Sequence, residues 1–385
     1  MERVLVGMSG GVDSSVTAAL LQQQGYEVIG ATMLVWTPPG VDMAYSDSCC
    51  GLSAAEDARR VCSKLGIRHY TLDFKDVFFE TIIRNYVDEY LAGHTPNPCI
   101  RCNEFVKFRA LLDRARALGA GRIATGHYAR IVRDESMGRV RLLRGVDRKK
   151  DQSYALYRLS QEQLAATLFP LGGLTKTEVR SLATALDLPT AGKPDSQETC
   201  FVPDNDYPNL LRILAPEAMR PGEVQNSSGK RLGSHPGTAY YTIGQRRRLN
   251  VGSPLPLYVS RIDAGRGVIT AVPRDHPDLF RTEVTASNVK WIGLTQDELR
   301  SGPRQVTAHV RYQHGGEVGL LELNEAGAEP RLVVRFEQPV RGVAPGQALV
   351  VYSGEELLAG GVLTESSTAS EALRHEESSS GFNRE

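Results

Sequence analysis

Two short stretches of the sequence carry residue types suited to chemistry. The first, Gly7-Met-Ser-Gly-Gly-Val-Asp-Ser-Ser15, combines adjacent glycines with three serines and an aspartate. Gly10 and Gly11 allow successive backbone N–H groups to face outward, and a following helix adds its positive end, so the stretch can hold phosphate oxygens. The serine hydroxyls add donors, and Asp13 is suited to holding Mg²⁺ or ordering the loop. We therefore predict a phosphate-binding loop; the alternative is a plain strand-to-helix turn of small residues.

Two other phosphate-binding patterns are absent from the sequence. The ATPase pattern ends in Gly-Lys-Ser/Thr, whereas the Gly-Lys pairs at 192–193 and 229–230 are followed by proline and arginine. The dinucleotide pattern Gly-x-Gly-x-x-Gly fails at Gly119-Ala-Gly121, which continues as Arg-Ile-Ala and precedes a predicted strand.

The second chemical signal consists of three cysteines. Cys99 and Cys102 lie in Thr95-Pro-Asn-Pro-Cys-Ile-Arg-Cys-Asn103, just before a predicted helix, and Cys200 lies in Ser196-Gln-Glu-Thr-Cys-Phe201. A cysteine near a helix N-terminus and beside an arginine is predicted to have a lowered pKa and to be partly thiolate at neutral pH. Structural zinc is disfavoured, because it needs four ligands and the chain has one Cys-x-x-Cys pair. Cys62, on the apolar face of a helix, is predicted to lie in the core.

The elements that must position these residues alternate between strand and helix over the first 130 residues. Strands are predicted at Arg3–Val6, Val28–Val35, His69–Asp73 and Arg122–Gly126. Helices are predicted at Ser15–Gln24, from the capping box Ser53-Ala-Ala-Glu56 to Leu65, at Val77–Ala92 and at Phe105–Leu118. This alternation predicts a doubly wound parallel α/β sheet covered on both faces. A hairpin (Ala129–Arg133 and Arg139–Arg144) and helices at Gln161–Leu168 and Thr175–Leu186 follow.

The rest of the chain changes in composition. From about Pro208 it is rich in Pro and Gly, which predicts a small turn-rich β domain, and short β-like runs between 280 and 363 predict a small β-barrel. We predict an α/β domain that carries the phosphate loop at 1–205, a small central domain at 206–278, a C-terminal β-barrel at 279–364 and a disordered tail at 365–385.

Composition excludes several classes of protein. The chain has 385 residues, of which 41% are hydrophobic, which rules out a disordered chain. No run approaches the roughly 18 apolar residues of a membrane span, and no signal-peptide core precedes the first glycines. We therefore expect no membrane partner and a reducing, cytoplasmic location for the six cysteines. Lys plus Arg and Asp plus Glu are both 45, giving a formal net charge of +0.

The motifs as a set resemble a known family. The phosphate loop resembles the PP-loop of the ATP pyrophosphatases, which split ATP between its α- and β-phosphates. The chain also resembles the tRNA-specific 2-thiouridylases over residues 1 to about 364. The motifs that carry this resemblance are, in order along the chain, the loop, Thr95-Pro-Asn-Pro98, Cys102-Asn103, Ala124-Thr-Gly-His-Tyr128, Lys150-Asp-Gln-Ser-Tyr154, Cys200-Phe201 and Tyr241-Thr-Ile-Gly-Gln245.

The resemblance implies an ATP-dependent reaction on tRNA. ATP with Mg²⁺ would adenylate the C2 oxygen of the wobble uridine, in tRNAs for Lys, Glu and Gln, and sulfur would then displace AMP. Cys102 matches the family's nucleophile and Cys200 its persulfide carrier, which a cysteine desulfurase or a relay protein would load. The target uridine must be flipped out of its stack.

The resemblance also carries binding roles onto single residues. The ATP-binding positions would be Gly7, Met8, Ser9, Gly10, Gly11, Val12, Asp13, Ser14, Met33 and Gly126. The residues around the target base would be Asn97, Pro98 and Cys99. The tRNA contacts would be His127, Lys150, Asp151, Gln152, Arg311, Tyr312 and Gln347. The resemblance therefore implies that residues 1–205 form the catalytic domain and that the C-terminal β-barrel contacts RNA. The chain also has two basic stretches: Arg139–Lys150, with six basic residues and one acidic residue, and Arg246–Arg248. Beside a phosphate-activating domain these stretches favour contacts with the tRNA backbone, although basic clusters are usually solvated faces.

One departure from the family leaves the mechanism open. Many members carry Asp at the position of Cys99, so here Cys99, Cys102 and Cys200 are three thiolates that could hold a [4Fe–4S] cluster delivering sulfide. The persulfide route, in which Cys102 assists release by forming a disulfide, is the one we favour. Two further alternatives are a cluster-holding RNA-binding module with structural ATP, and a PP-loop ligase for a small molecule. The absence of a glutaminase domain weighs against the ligase.

Overall fold

The computed structural model describes residues 1–36, 52–134, 138–195, 199–202, 206–216, 219–249, 251–312 and 314–364. The predicted disordered tail at 365–385 lies outside the described residues, as do residues 196–198 ahead of Cys200. The chain divides into two compact units: the first holds Met1–Arg84, Pro98–Tyr207 and Glu355–Leu357, and the second holds Asn85–Asn97, Pro208–Gly354 and the segment from Leu358. The domain limits predicted from the sequence stay predictions.

A parallel sheet of five strands forms the centre of the first unit. The strands are β1 (Arg3–Gly7), β2 (Glu27–Leu34), β3 (Arg68–Asp73), β4 (Arg122–Ala124) and β7 (Thr167–Leu168). Their order is β3-β2-β1-β4-β7 and every pairing is parallel. The side chains of β1 and β2 are largely buried, as expected for strands with helices on both faces. The predicted doubly wound parallel sheet is confirmed.

The helices follow the predicted alternation. They are α1 (Val12–Gln23), α2 (Leu52–Leu65), α3 (Lys75–Phe78), α5 (Pro98–Cys102), α6 (Leu111–Ala117), α7 (Gln161–Ala165) and α8 (Lys176–Ala185). Two more helices, α4 (Arg84–Leu91) and α9 (Tyr207–Leu214), have their first residue in the first unit and the rest in the second. π-helical segments at Phe79–Ile83 and Asn103–Ala110 continue α3 and α5. Residues of α1 and α2 pack with those of β1 into one apolar cluster, which includes Cys62 and confirms its predicted place in the core.

Four helix predictions were wrong at their ends. The first helix begins at Val12 and not at Ser15. Ser53 lies inside α2 and not at its N-cap. The helix predicted at Gln161–Leu168 stops at Ala165, because Thr167 and Leu168 pair with β4 as the fifth strand, an interaction that the helical period cannot reveal. The helix predicted from Phe105 begins at Pro98, a residue type favoured in the first helical turn, so Cys99 and Cys102 lie within the helix.

A β-hairpin completes the first unit. Its strands, β5 (Ala129–Asp134) and β6 (Arg139–Arg144), pair in antiparallel register from Ala129 opposite Arg144 to Asp134 opposite Arg139. The predicted hairpin is confirmed. Glu356 of the same unit pairs with Leu143.

The second unit contains two β structures. The first is a four-stranded sheet made of β8 (Gly222–Gln225), β9 (Arg231–His235), β10 (Leu257–Asp263) and β11 (Val268–Pro273), in the order β10-β11-β8-β9. The second is a ring of six strands, made of β12 (Phe280–Trp291), β13 (Arg304–His309), β14 (Glu317–Asn324), β15 (Arg331–Arg341), β16 (Ala348–Ser353) and β17 (Glu356–Leu363), with α10 (Gln296–Arg300) between β12 and β13. Pairing of β12 with both β15 and β17 closes the ring around an apolar core, which confirms the predicted barrel. No helix in the described ranges is long and apolar enough to cross a membrane.

Candidate active site

The phosphate loop leaves β1 at Gly7 and is anchored on the neighbouring strand. The N–H of Met8 donates to the carbonyl of Ala31 across 2.7 Å, and the hydroxyl of Thr32 donates to the carbonyl of Met8 across 2.9 Å. Gly10 has a φ of +67°, and a Cβ there would lie 2.4 Å from the carbonyl oxygen of Ala54. Only glycine fits this position, because any side chain would collide with the backbone of α2.

Serines fix the inside of the loop. The N–H of Ser9 donates to Oγ of Ser14 across 3.2 Å, and that hydroxyl donates to the carbonyl of Gly11 across 3.2 Å. The hydroxyl of Ser15 donates to the same carbonyl across 2.8 Å. The turn that leads into α1 is therefore held by its own side chains, with the helix N-terminus directly behind it, which is a geometry suited to an anion.

The other predicted ATP-binding residues lie at the same edge of the sheet. Gly126 follows β4 and packs against the loop so closely that a Cβ would lie 2.9 Å from the carbonyl carbon of Asp13 and 3.0 Å from the nitrogen of Ser14. Met33 is buried near the end of β2. Since β1 lies between β2 and β4, these residues meet at the carboxyl ends of adjacent strands, where the chain order of the sheet reverses.

Asp13 is held by two residues for which the sequence predicted no role. Nζ of Lys176 lies 2.7 Å and 2.8 Å from the two carboxylate oxygens, and the hydroxyl of Tyr128 donates to Oδ1 across 2.8 Å. Of the two roles considered for Asp13, these contacts support ordering of the loop. The sequence pattern places Lys176 in the first turn of α8, one residue after the N-cap Thr175. No nearby residue indicated that its partner would be Asp13.

Asp195 extends this ionic network to two further cations. Its carboxylate lies 2.7 Å from Nζ of Lys150, 2.9 Å from Nζ of Lys176 and 2.6 Å from Nη2 of Arg180. Partial burial acts to raise the pKa of Asp195, but hydrogen bonds from Lys150 and Lys176 outweigh it and lower this pKa to about 2. Asp195 is therefore ionised at neutral pH.

The first two candidate cysteines lie on α5. Cys99 is exposed and Cys102 is partly buried. The next residue, Asn103, is buried and its Nδ2 donates to the carbonyl of Ala155 across 2.9 Å, which fixes the helix at this point. The guanidinium of Arg101 donates to the carbonyl of Thr81 and lies over the ring of Phe105.

Cys200 is positioned by its neighbour. Phe201 is buried, and its ring meets that of Phe78 edge-on, with 5.6 Å between the ring centroids. Residues of α5 pack against Phe79–Ile83, which directly follow Phe78. The segments carrying Cys102 and Cys200 therefore pack on the same stretch of helix. Cys62 differs from these cysteines, because burial raises the pKa of its thiol to about 12 and keeps it unreactive.

The residues predicted to contact tRNA in the first unit have structural partners. His127 is only 8% exposed and lies between the rings of Phe108 and Phe169, with Nδ1 2.8 Å from the hydroxyl of Thr125. Burial, with a smaller effect of Lys107, holds the pKa of His127 well below its usual range, so the ring is neutral at pH 7.

Two further residues predicted to contact tRNA, Asp151 and Gln152, accept hydrogen bonds from the backbone of their own unit. Oδ1 of Asp151 accepts from the N–H of Gly145 across 2.9 Å, and Oε1 of Gln152 accepts from the N–H of Tyr128 across 3.0 Å. A role of these residues in tRNA binding stays a prediction.

The basic stretch Arg139–Lys150 is less positive in three dimensions than in sequence. Arg141 pairs with Glu356 across 2.6 Å, Arg148 pairs with Glu355, and Lys150 pairs with Asp195. Lys149 is exposed, and among the described residues its side chain has no ion-pair partner. The local charge predicted from the sequence was too high, because the compensating acids lie far away along the chain.

In the second unit the predicted tRNA residues lie on two loops. Nε2 of Gln347 donates to the carbonyls of Thr95 and Pro96 across 2.9 Å and 3.4 Å, so it supports the segment that leads to Asn97. Arg311 and Tyr312 are exposed, and Nη1 of Arg311 donates to the carbonyl of Arg341 across 2.9 Å. Arg246, Arg247 and Arg248 are also exposed.

The fold and this site define a nucleotide-binding enzyme of the PP-loop class, with a β-barrel in its second unit. Three family models match the chain in succession: the tRNA methyl transferase HUP domain over residues 2–204, the tRNA methyl transferase PRC-barrel domain over 210–273 and the aminomethyltransferase beta-barrel domain over 281–363. The tRNA-specific 2-thiouridylase MnmA of Heliobacterium modesticaldum is 46% identical over 363 residues, covering 94% of this chain and 92% of that protein. The tRNA-specific 2-thiouridylase MnmA 1 of Caldanaerobacter subterraneus subsp. tengcongensis is 46% identical over 364 residues, covering 94% of this chain and 97% of that protein. The chain belongs to the family of tRNA-specific 2-thiouridylases.

Proposed function

We propose that the protein replaces the C2 oxygen of the wobble uridine of tRNA with sulfur, using ATP for activation and a cysteine persulfide as the sulfur source. The substrates would be tRNAs for Lys, Glu and Gln, in the cytoplasm. As a member of its family the protein is a tRNA 2-sulfurtransferase; the proposal concerns its chemical route. The observation that carries it is the joint position, in one unit, of the phosphate loop and of two cysteine segments packed on one helical stretch.

Activation comes first in this route, because an oxygen bonded to carbon is a poor leaving group. The C2 oxygen of the uridine attacks the α-phosphorus of ATP, the bond to the β-phosphate breaks, and pyrophosphate leaves. N3 of the uridine loses its proton in this step and regains it in the 2-thio product. Mg²⁺ bound with ATP would offset the charge of the phosphates. The loop between Gly7 and Ser14 holds the phosphates through backbone N–H groups and the end of α1. The adenylated uridine then carries AMP, a good leaving group, on C2.

Sulfur transfer follows on the same carbon. The terminal sulfur of a persulfide on Cys200 attacks C2 and AMP departs, which leaves the uridine joined to Cys200 through two sulfurs. The thiolate of Cys102 then attacks Sγ of Cys200. This forms a disulfide between the two cysteines and releases the outer sulfur, with its bonding electrons, as the 2-thio group. An external dithiol reduces the disulfide, and a persulfide donor such as a cysteine desulfurase or a relay protein reloads Cys200.

The alternative route uses a [4Fe–4S] cluster on Cys99, Cys102 and Cys200. Within the described residues, no three His, Cys, Asp or Glu side chains are grouped to hold a metal ion, and we derive no step through a cluster. Anaerobic purification followed by iron and acid-labile sulfide analysis tests this choice: an iron-free, active protein supports the persulfide route, and activity that rises with about four irons per chain contradicts it.

The main experiment incubates the protein with unmodified tRNA, Mg-ATP and a protein persulfide donor, followed by nucleoside analysis. We expect 2-thiouridine together with release of AMP and pyrophosphate. Cys102→Ala and Cys200→Ala should each abolish the thionucleoside while leaving ATP binding intact. Cys62→Ala is the matched control, because Cys62 is buried in an apolar cluster that contains neither Cys102 nor Cys200. Full turnover by Cys200→Ala with the persulfide donor would show that the role given to Cys200 is wrong.

A further inference from the structure

The phosphate loop lacks a positive charge of its own. Residues 7–15 contain no lysine or arginine, and they include the carboxylate of Asp13. The polyphosphate of ATP carries several negative charges, and like charges repel strongly in a partly buried site. A loop of this composition therefore needs a cation from another element before it can hold ATP tightly.

In the described part of the chain, Lys176 is the one cation placed in contact with a side chain of this loop. Its Nζ lies 2.7 Å and 2.8 Å from the carboxylate oxygens of Asp13, which belongs to the first turn of α1. The Lys176 side chain is only 12% exposed, so its charge is less screened by water than that of a surface lysine. Its ammonium thus lies beside the helix end where an anion would bind.

A second carboxylate holds the same ammonium. Oδ1 of Asp195 lies 2.9 Å from Nζ of Lys176, and the Asp195 carboxylate also pairs with Lys150 and Arg180. Three cations thus face two carboxylates, which leaves one positive charge in excess next to the loop. Lys176 and Arg180 also line an open cavity of about 660 Å³ that runs along α8, so these two side chains of the network are accessible from outside.

We propose that Lys176 is a further nucleotide-binding residue, whose ammonium contacts the β- and γ-phosphates of ATP, and that Asp195 is the positioning residue that holds it beside the loop. This inference rests on the proposed function, because it takes ATP as the ligand of the loop. A lysine ammonium is a compact point charge suited to phosphate oxygens. Because the β- and γ-phosphates leave as pyrophosphate, the same contact would stabilise the charge that develops on the leaving group.

The test compares a nucleotide with and without the outer phosphates. Calorimetric titration with α,β-methylene-ATP and with AMP separates a contact with the β- and γ-phosphates from general damage to the loop. Loss of one charge-assisted hydrogen bond corresponds to about ten- to a hundredfold in affinity. We expect Lys176→Met to lose this much for the ATP analogue and little for AMP, and Lys176→Arg to recover most of the loss.

A double variant removes the simplest other explanation, that Lys176 only neutralises Asp13. Asp13→Asn combined with Lys176→Met deletes both charges, so an affinity that depended on neutralisation alone would recover. We expect the double variant to stay weak for the ATP analogue and to bind AMP as the unmodified protein does. Recovery of affinity for the analogue, or equal losses for the analogue and AMP in Lys176→Met, would overturn the inference.

Two further variants complete the design. Asp195→Asn should weaken binding of the ATP analogue several-fold, less than Lys176→Met, because Lys176 keeps Asp13 as a partner. Lys193→Met is the matched control: Lys193 pairs with Asp57 across 2.6 Å and contacts neither Asp13 nor Asp195 in the structure, so its affinities should not change. If the unmodified protein binds ATP and thiolates tRNA while Lys176→Met binds the analogue normally, this inference alone fails; if the unmodified protein does not bind ATP, the proposed function fails.

Discussion

The hydroxyl of Tyr128 donates a hydrogen bond of 2.8 Å to Oδ1 of Asp13, and it thereby ties the segment after β4 to the phosphate loop. The Tyr128 ring is buried and packs with Val12 and Val16 of α1. Both burial and the Asp13 carboxylate raise the pKa of the phenol above its ordinary value, so Tyr128 stays a neutral donor at every physiological pH. The loop is therefore supported from β4 as well as from β2.

This contact predicts the effect of Tyr128→Phe. The substitution keeps the packed ring and removes one hydrogen bond to a charged group, which is worth about 1.5–3 kcal/mol. We expect a loss near the lower end of that range, because Lys176 remains on Asp13, together with weaker ATP binding. Urea unfolding and calorimetry measure the two effects. Unchanged stability and unchanged ATP affinity would show that the hydrogen bond does not support the loop.

Two glycines at opposite ends of α1 give a second prediction. Gly10 and Gly25 both have positive φ, +67° and +86°, but a Cβ on Gly25 meets nothing within 4 Å, whereas one on Gly10 overlaps the backbone of Ala54. Gly25→Ala should therefore cost only the left-handed strain of about 1–2 kcal/mol. Gly10→Ala should cost more and abolish ATP binding. Equal losses in urea unfolding for the two variants would contradict the close approach of loop and helix.

The loop was predictable from sequence because its determinants are local. Glycines and serines within nine residues set its turn, and strand–helix alternation sets the parallel sheet around it. The partners of Asp13 were not predictable, since Tyr128 and Lys176 lie 115 and 163 residues further along the chain and no local pattern links them. For the same reason, the charge of the basic stretch was overestimated: Glu355 and Glu356 reach it from more than 200 residues away.

A third prediction concerns pH and His127. Burial lowers the pKa of His127 in the folded protein, whereas the unfolded chain takes up a proton near pH 6.5. Below that pH the unfolded state binds one more proton at this side chain, so His127 should contribute a fall of about 1.4 kcal/mol per pH unit in the free energy of unfolding until its folded pKa is reached. His69, His235 and His314, whose pKa values are also lowered by burial, add to the total slope. Urea unfolding between pH 7.5 and 5 measures this slope. His127→Gln should reduce it, and an identical slope in the variant would contradict the buried, neutral state.

The last prediction separates two neighbouring cations on the basic stretch. Lys149 is exposed without an ion-pair partner among the described residues, whereas Arg148 pairs with Glu355. Under the proposed function, Lys149 is available to a phosphate of tRNA, and Arg148 would first have to leave its carboxylate. Lys149→Gln should weaken binding of all tRNAs alike and reduce the slope of log affinity against log salt by about 1.

Arg148→Gln removes the same charge and is the matched control, for which we expect a smaller change in slope. Filter binding across a salt series measures both slopes. If Arg148→Gln changes the slope as much as Lys149→Gln does, the ion pair with Glu355 does not withhold Arg148 from the RNA, and the net charge of the stretch rather than its pairing determines tRNA binding.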